Sequence, residues 1–248
     1  MRQDTGKVFD ELAGDYATFR PSWNASIIDV VASVSTGHGL VLDVGCGSGQ
    51  ATVLLAQHFD VVIATDPAPR AIEQAPGIAN VQWSVGSCDA TPAADGTVHL
   101  ITAAQAAHWF DMDAFAVECR RVATTGGRVA LFGYDLFNVD ASIDAIVKDF
   151  YLNARRDWDE RRAFVDTRYA TLPFPFAEVE PPPMPPMKAT WSADALLGYL
   201  RTWSGVRNRI TRTGEDPVAT VESKIRGYWG DGEREVSWPT FVRVGDVS

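Results

Sequence analysis

The stretch Leu40-Val41-Leu42-Asp43-Val44-Gly45-Cys46-Gly47-Ser48-Gly49-Gln50 decides how the rest of the chain is read. Its first half is a short, branched apolar run, the pattern of a strand buried on both faces of a parallel sheet. Its second half sets Gly45, Gly47 and Gly49 at alternate positions, where the backbone can turn sharply and leave room for a ligand against the main chain. The third glycine of the dinucleotide fingerprint G-x-G-x-x-G would fall at position 50, which is Gln50. No Gly-Lys-Ser/Thr is present, so a phosphate-cradling P-loop is excluded. Asp43, ahead of the glycines, suits a cationic ligand group at the carboxyl end of a strand. Equally, its carboxylate can simply hydrogen-bond the turn.

Outward from this loop the pattern alternates. Apolar runs at 61–64, 81–85, 98–102 and 129–132 read as further strands, and helical periodicity appears at 52–58, 69–74 and 113–122. The clearest helix spans 140–156, with Ile143, Ile146, Val147, Phe150 and Tyr151 on one face. Strands alternating with helices imply an α/β fold, a mostly parallel sheet with right-handed crossovers. Asp66 ends the second strand, where an acidic residue can chelate two ribose hydroxyls; it can also cap the helix that follows Pro67. After the third strand, Asp89 can accept from a purine amino group beside Cys88, although any β–α turn can hold an Asp.

After residue 170 prolines crowd 173–186, an extended connection or edge strand. Ser192 can cap a helix carrying Leu196, Leu197, Leu200 and Trp203, and Asp216-Pro217 can start another. The segment 236–244 reads as one strand, with Pro239 at an edge or bulge.

The ordered set of 43–49, Asp66, Cys88-Asp89 and 103–110 resembles the class I S-adenosylmethionine-dependent methyltransferases over roughly residues 9–135. It is most similar to the small-molecule branch that includes trans-aconitate-type methyltransferases. Thr124-Thr125-Gly126-Gly127 stands where that family usually has Lys-Pro-Gly-Gly, a departure in a turn. The resemblance implies a Rossmann-like, seven-stranded sheet with an antiparallel last strand and helices on both faces, the final pair near 177–189 and 236–244. It implies one domain over 1–248: N-terminal lid helices at 1–35, a cofactor-binding core at 36–135, and sheet completion with added helices on the acceptor side at 136–248. Cofactor contacts fall to Tyr16, Arg20, Asp43 (for the methionine ammonium), Gly45, Gly47, Gly49, Asp66, Pro67, Cys88, Asp89 and Gln105. His108 is the histidine placed as base or acceptor-orienting group, with Tyr16 closing over the site; a His108 bonded locally beside Trp109 is the alternative. His108, Trp109, Tyr134 and Trp203 would wall the acceptor pocket, though an aromatic at helical spacing such as Trp203 is more often core. Arg20 suits an anionic acceptor or a surface ion pair.

Bulk properties bound these expectations. A chain of 248 residues, 46% hydrophobic, buries one substantial core. Its formal charge of −10 repels phosphate backbones, so no nucleic-acid partner is expected. Three cysteines without CxxC spacing argue against a disulfide framework, and four histidines without an HxxxH pair suggest no metal site. No apolar run approaches the ~20 residues needed to span a bilayer, and the start of the chain lacks a signal-peptide core. The expectation is a cytoplasmic protein, monomer or homodimer, that binds S-adenosylmethionine, releases S-adenosylhomocysteine and methylates a small molecule. The competing readings are an NAD(P)-dependent oxidoreductase and a non-catalytic cofactor-binding regulatory protein. The interleaved charges at 155–168 read as a self-paired helix surface.

Overall fold

The computed structural model describes residues 19–247. The apolar runs become strands β1 (Leu40–Val44), β2 (Val61–Asp66), β3 (Val81–Val85), β4 (Val98–Ala104) and β5 (Ala123–Tyr134), all paired in parallel. Later come β6 (Ala177–Val179), β7 (Met187–Trp191), β8 (Arg234–Trp238) and β9 (Thr240–Asp246). The main sheet has the order β3-β2-β1-β4-β5-β9-β6, and β9 runs antiparallel to both its neighbours. This is the Rossmann-like sheet with an antiparallel last strand that the family resemblance implied.

Helices α1 (Ala25–Ser33), α2 (Thr52–Leu55), α3 (Pro69–Glu73) and α4 (Met112–Val122) flank it. Side chains alternate across the strands, so each face has its own core. Leu42, Ile101, Val129 and Leu131 join Phe115, Cys119 and Val122 of α4 in one cluster. Val41, Val62, Leu100, Ala130 and Phe132 join Ile28, Val31 and Leu55 in the other. Phe115 is 1% exposed, and truncating such a side chain to Ala costs about 3–5 kcal/mol.

A third core belongs to the part of the chain beyond β5. It gathers α5 (Ala141–Ala154), α7 (Ala193–Arg201), α8 (Ser204–Thr213) and α9 (Ala219–Trp229), whereas the short α6 (Ala163–Asp166) packs into the first cluster through Val165. Ile143, Val147, Phe150, Leu196, Leu200 and Trp229 are its centre. Caps fix the entries: Asp140 accepts from Ser142 and Ile143 N–H, and Ser192 from Ala195 N–H.

Two expectations change, and one helix is added. The run 236–244 is not one strand. It breaks at Pro239, which has no N–H to continue a ladder, so β8 leaves the main sheet and pairs with β7 as a separate ribbon. Helix α8 had no clear sequence signal, because Val206 and Ile210 are its main apolar anchors and its remaining residues are mostly polar. The helix at Asp216-Pro217 starts at Ala219, with the Asp216 carboxylate bonded to Val218 N–H in the turn before it.

Chain order reverses between β1 and its two neighbours, β2 and β4. The crevice at the carboxyl edge of such a switch point is where open α/β sheets hold ligands.

Candidate functional site

A cavity of about 350 Å³ opens at that edge, within the usual range for a small-molecule site. The glycine loop forms one end. Gly45 and Gly47 have φ of 70° and 57°, the left-handed region, and both line the cavity. A Cβ at Gly45 would stand 2.6 Å from Ala106 Cβ, so its bare backbone lets the segment after β4 come close. Among the described residues, a Cβ at Gly47 would meet no atom within 4 Å, which leaves space beside its backbone. Gly49 is absent from the lining, since it makes room for the Trp83 ring.

Asp66 lines the same end with Pro67, and it binds the loop directly. Its Oδ2 accepts from Gly47 N–H at 2.8 Å, and its Oδ1 from Ala68 N–H at 2.9 Å. Burial pushes its carboxyl above the ordinary range, and the two amide donors pull it back part-way. A carboxylate offers about four acceptor positions, so two amides leave capacity for two hydroxyl donors.

Asp43 is not placed for a ligand ammonium. It is fully buried outside the cavity lining, with Thr52 Oγ1 on one oxygen at 2.6 Å and Thr102 Oγ1 on the other at 2.9 Å. Burial raises its pKa to about 6 against those hydroxyls. Its work is to tie β1, β4 and α2 together beneath the loop. Cys88 and Asp89 also lie outside the lining, and Asp89 takes the hydroxyl of Ser87. The turn after β3 closes on itself instead of reaching the cavity. Gln105 does line the cavity, yet its side-chain amide is committed to the backbone of Tyr134, accepting from N–H at 2.9 Å and donating to C=O at 3.4 Å. Its φ of 55° is a strained, left-handed conformation for a non-glycine residue.

His108, Trp109, Tyr134 and Trp203 all line the other end. His108 is 6% exposed, with Nδ1 3.3 Å from the Tyr169 hydroxyl. Burial, then the charges of Arg162 and Arg161, lower its pKa to about 3. It is therefore a neutral imidazole near pH 7 with little tendency to take up a proton. Trp203 is 5% exposed and sits among Phe150, Tyr151, Trp158 and Tyr199, so it is chiefly core with an edge on the cavity. Arg20 donates to the Tyr134 hydroxyl at 3.1 Å and to Thr202 C=O at 3.3 Å, bridging β5 to the end of α7. Tyr16 lies outside the described residues.

A methyltransferase domain model matches residues 42–131, the span from the glycine loop through β5. A solved structure from Anaeromyxobacter dehalogenans, provisionally named a type II methyltransferase, is 40% identical with a TM-score of 0.85, covering 92% of this chain and 98% of that one. The chain belongs to the class I methyltransferase family. A provisionally named methyltransferase of Dictyostelium discoideum is 29% identical over 94% of this methyltransferase and 92% of its own length. An uncharacterised methyltransferase of Mycobacterium tuberculosis is 29% identical over 72% of this chain and 70% of its own length.

Several further residues line the methyltransferase's cavity with no signal in the sequence to mark them. Gln50, Ala71 and Gln74 stand at the loop end, and Tyr151, Trp158, Arg162 and Asn208 at the other. In sequence, Gln50 only breaks the dinucleotide pattern, and Arg162 stands among interleaved charges that suggest a self-paired surface. Trp158 is packed by Gly205, where a Cβ would come 2.5 Å from Trp158 Cδ1. Among the described residues no group of three His, Cys, Asp or Glu side chains could hold a metal ion, and no helix is long and apolar enough to cross a membrane.

Proposed function

We propose that this methyltransferase uses S-adenosylmethionine to methylate a small molecule bound in the far half of the same cavity. The observation that carries the reading is the pairing of an open space at Gly47 with the Asp66 carboxylate beside it. Asp66 is assigned the two ribose hydroxyls, and the bare backbone of Gly45 and Gly47 the methionine part of the cofactor. Gln50 and Gln74 bring side-chain amides to the loop end of the cavity, where a purine has polar edges to satisfy.

When bound, S-adenosylmethionine supplies a methyl group already activated by its sulfonium. The chain's own work is to align the acceptor and exclude water. Trp109, Tyr134, Tyr151 and Trp158 give an apolar enclosure, and neutral His108 can orient a polar acceptor group without taking its proton. Tyr16 and Arg20 are assigned to closure over the cofactor.

Thermal melting with S-adenosylhomocysteine against NAD tests the cofactor. A rise in Tm of several degrees with S-adenosylhomocysteine alone is expected; stabilisation by NAD alone would overturn the reading.

A further inference from the structure

The acceptor half of the cavity holds a cation whose hydrogen-bonding capacity is unused. Arg162 lines it, with its side chain 23% exposed. Among the described residues the Arg162 guanidinium donates no hydrogen bond, and its Nη1 is buried. Its nearest acid, Asp166, stands 3.7 Å away, beyond hydrogen-bond distance. That acid is already shared: it accepts the Tyr151 hydroxyl and faces Arg155 at 3.7 Å.

The other acids of this half have partners of their own. Asp159 is held by Arg161 at 2.8 and 2.7 Å, and Asp135 by Arg168 at 2.7 Å. Arg20 adds a second positive charge to the lining, 5.6 Å over the Tyr199 ring. Arg162 thus brings a positive charge to a half of the cavity where Asp159 and Asp135 are already held by other arginines, although the whole chain carries −10. A guanidinium in this setting, with donors unspent, favours a planar anion that can take two N–H groups at once. A cationic amine would be repelled.

Ring faces surround this charge. Tyr151 and Trp158 are half-buried, their centroids 4.6 Å apart, and Trp158 stands 5.6 Å from Trp203. Arg162 lies 5.6 Å over Trp158 and 6.0 Å over Tyr151. Such walls hold a flat π-system by offset or edge packing more favourably than a puckered aliphatic body.

Resting on the methyl-transfer reading above, we propose that the acceptor is an aromatic carboxylic acid, its carboxylate on Arg162 and its ring against Tyr151 and Trp158. Arg162 is a binding residue in this assignment and takes no part in moving the methyl group.

Calorimetric titration tests it. Benzoate, cinnamate and indole-3-carboxylate are titrated with and without saturating S-adenosylhomocysteine, beside the matching amides and cyclohexanecarboxylate. At least one aromatic acid is expected to bind ten-fold or more tighter than its amide and than the cyclohexane acid. Arg162→Gln is expected to weaken that acid at least ten-fold, with Arg162→Lys recovering part of the loss. The S-adenosylhomocysteine Kd of both variants should stay within two-fold of wild type, which also certifies their folding. Equal binding of acid and amide, equal binding of the cyclohexane acid, or no binding of any aromatic acid each overturns the assignment. Loss of S-adenosylhomocysteine binding in the wild-type protein overturns the methyl-transfer reading instead, and the titrations without it still decide the acid.

Discussion

The backbone amide of Gly47 donates to Asp66 Oδ2 at 2.8 Å, so the turn after β1 is held by the last residue of β2. One carboxylate thus shapes the loop and faces the cavity beside it. Damage to either residue should be felt at the other.

Asp66→Ala removes the carboxylate assigned to ribose and the acceptor of the loop amide together. S-adenosylhomocysteine should bind about 1–3 kcal/mol more weakly by calorimetry, the range for hydrogen bonds to a charged group. Unchanged affinity would mean that ribose lies elsewhere.

Gly47→Ala and Gly49→Ala should separate cradle from packing. Both residues have positive φ, 57° and 92°, so each Ala costs roughly 1–2 kcal/mol in urea unfolding. Gly49→Ala should cost more, because its Cβ runs into the Trp83 ring. Gly47→Ala should be the one that weakens S-adenosylhomocysteine, by ten-fold or more, since its Cβ projects into open space; equal affinity in wild type and G47A would remove the loop from the cofactor site.

His108 is held neutral, with a pKa near 3 against an ordinary 6.5. A depressed histidine contributes stability that is complete above pH 6.5 and lost as pH falls toward 3, because the unfolded chain takes the proton first. Relative to His108→Gln, wild type should lose on the order of 2 kcal/mol between pH 7 and pH 5. A flat difference would place the imidazole in contact with water. The pH dependence of kcat should show no inflection from this residue between pH 6 and 8.

Asp43 runs the other way. Its carboxyl is raised to about 6, so the folded state takes the proton more readily than the unfolded one. The contribution is greatest below the ordinary value of 3.8 and lost as pH rises through 6. Relative to Asp43→Asn, wild type should lose on the order of 2 kcal/mol of stability between pH 4.5 and pH 7. The effects of His108 and Asp43 oppose each other across pH 4–6, so the wild-type curve alone hides both; denaturant unfolding of each variant beside it reveals them.

The glycine loop, the strands around it and Asp66 were legible because they depend on local rules. A strand buried on both faces must be apolar along its length, a left-handed turn needs glycine, and an acid at the end of the second strand sits one turn from the loop. The side chains of Asp43, Asp89 and Gln105 were legible in position but not in direction. Two threonines from α2 and β4 claim Asp43, Ser87 claims Asp89, and the Tyr134 backbone claims Gln105. No spacing in the sequence announces a hydrogen bond between residues 59 or 29 positions apart.

The far half of the cavity was the least legible part. Arg162 has acids on both sides in sequence, which suggests a neutralised surface. In the fold its neighbour Arg161 takes Asp159, while Asp166 accepts the Tyr151 hydroxyl and stands 3.7 Å from both Arg155 and Arg162. Arg162 lines the cavity with no hydrogen bond from its guanidinium to the described residues. The sequence by itself determined the family, the mostly parallel sheet and the glycine loop that follows its first strand, because backbone conformation and burial are written in local residue type and period. Only the tertiary structure decided which polar groups remain unspent for a ligand. That depends on which partners reach each side chain first across the packed elements, and proximity in space is not encoded by proximity in the chain.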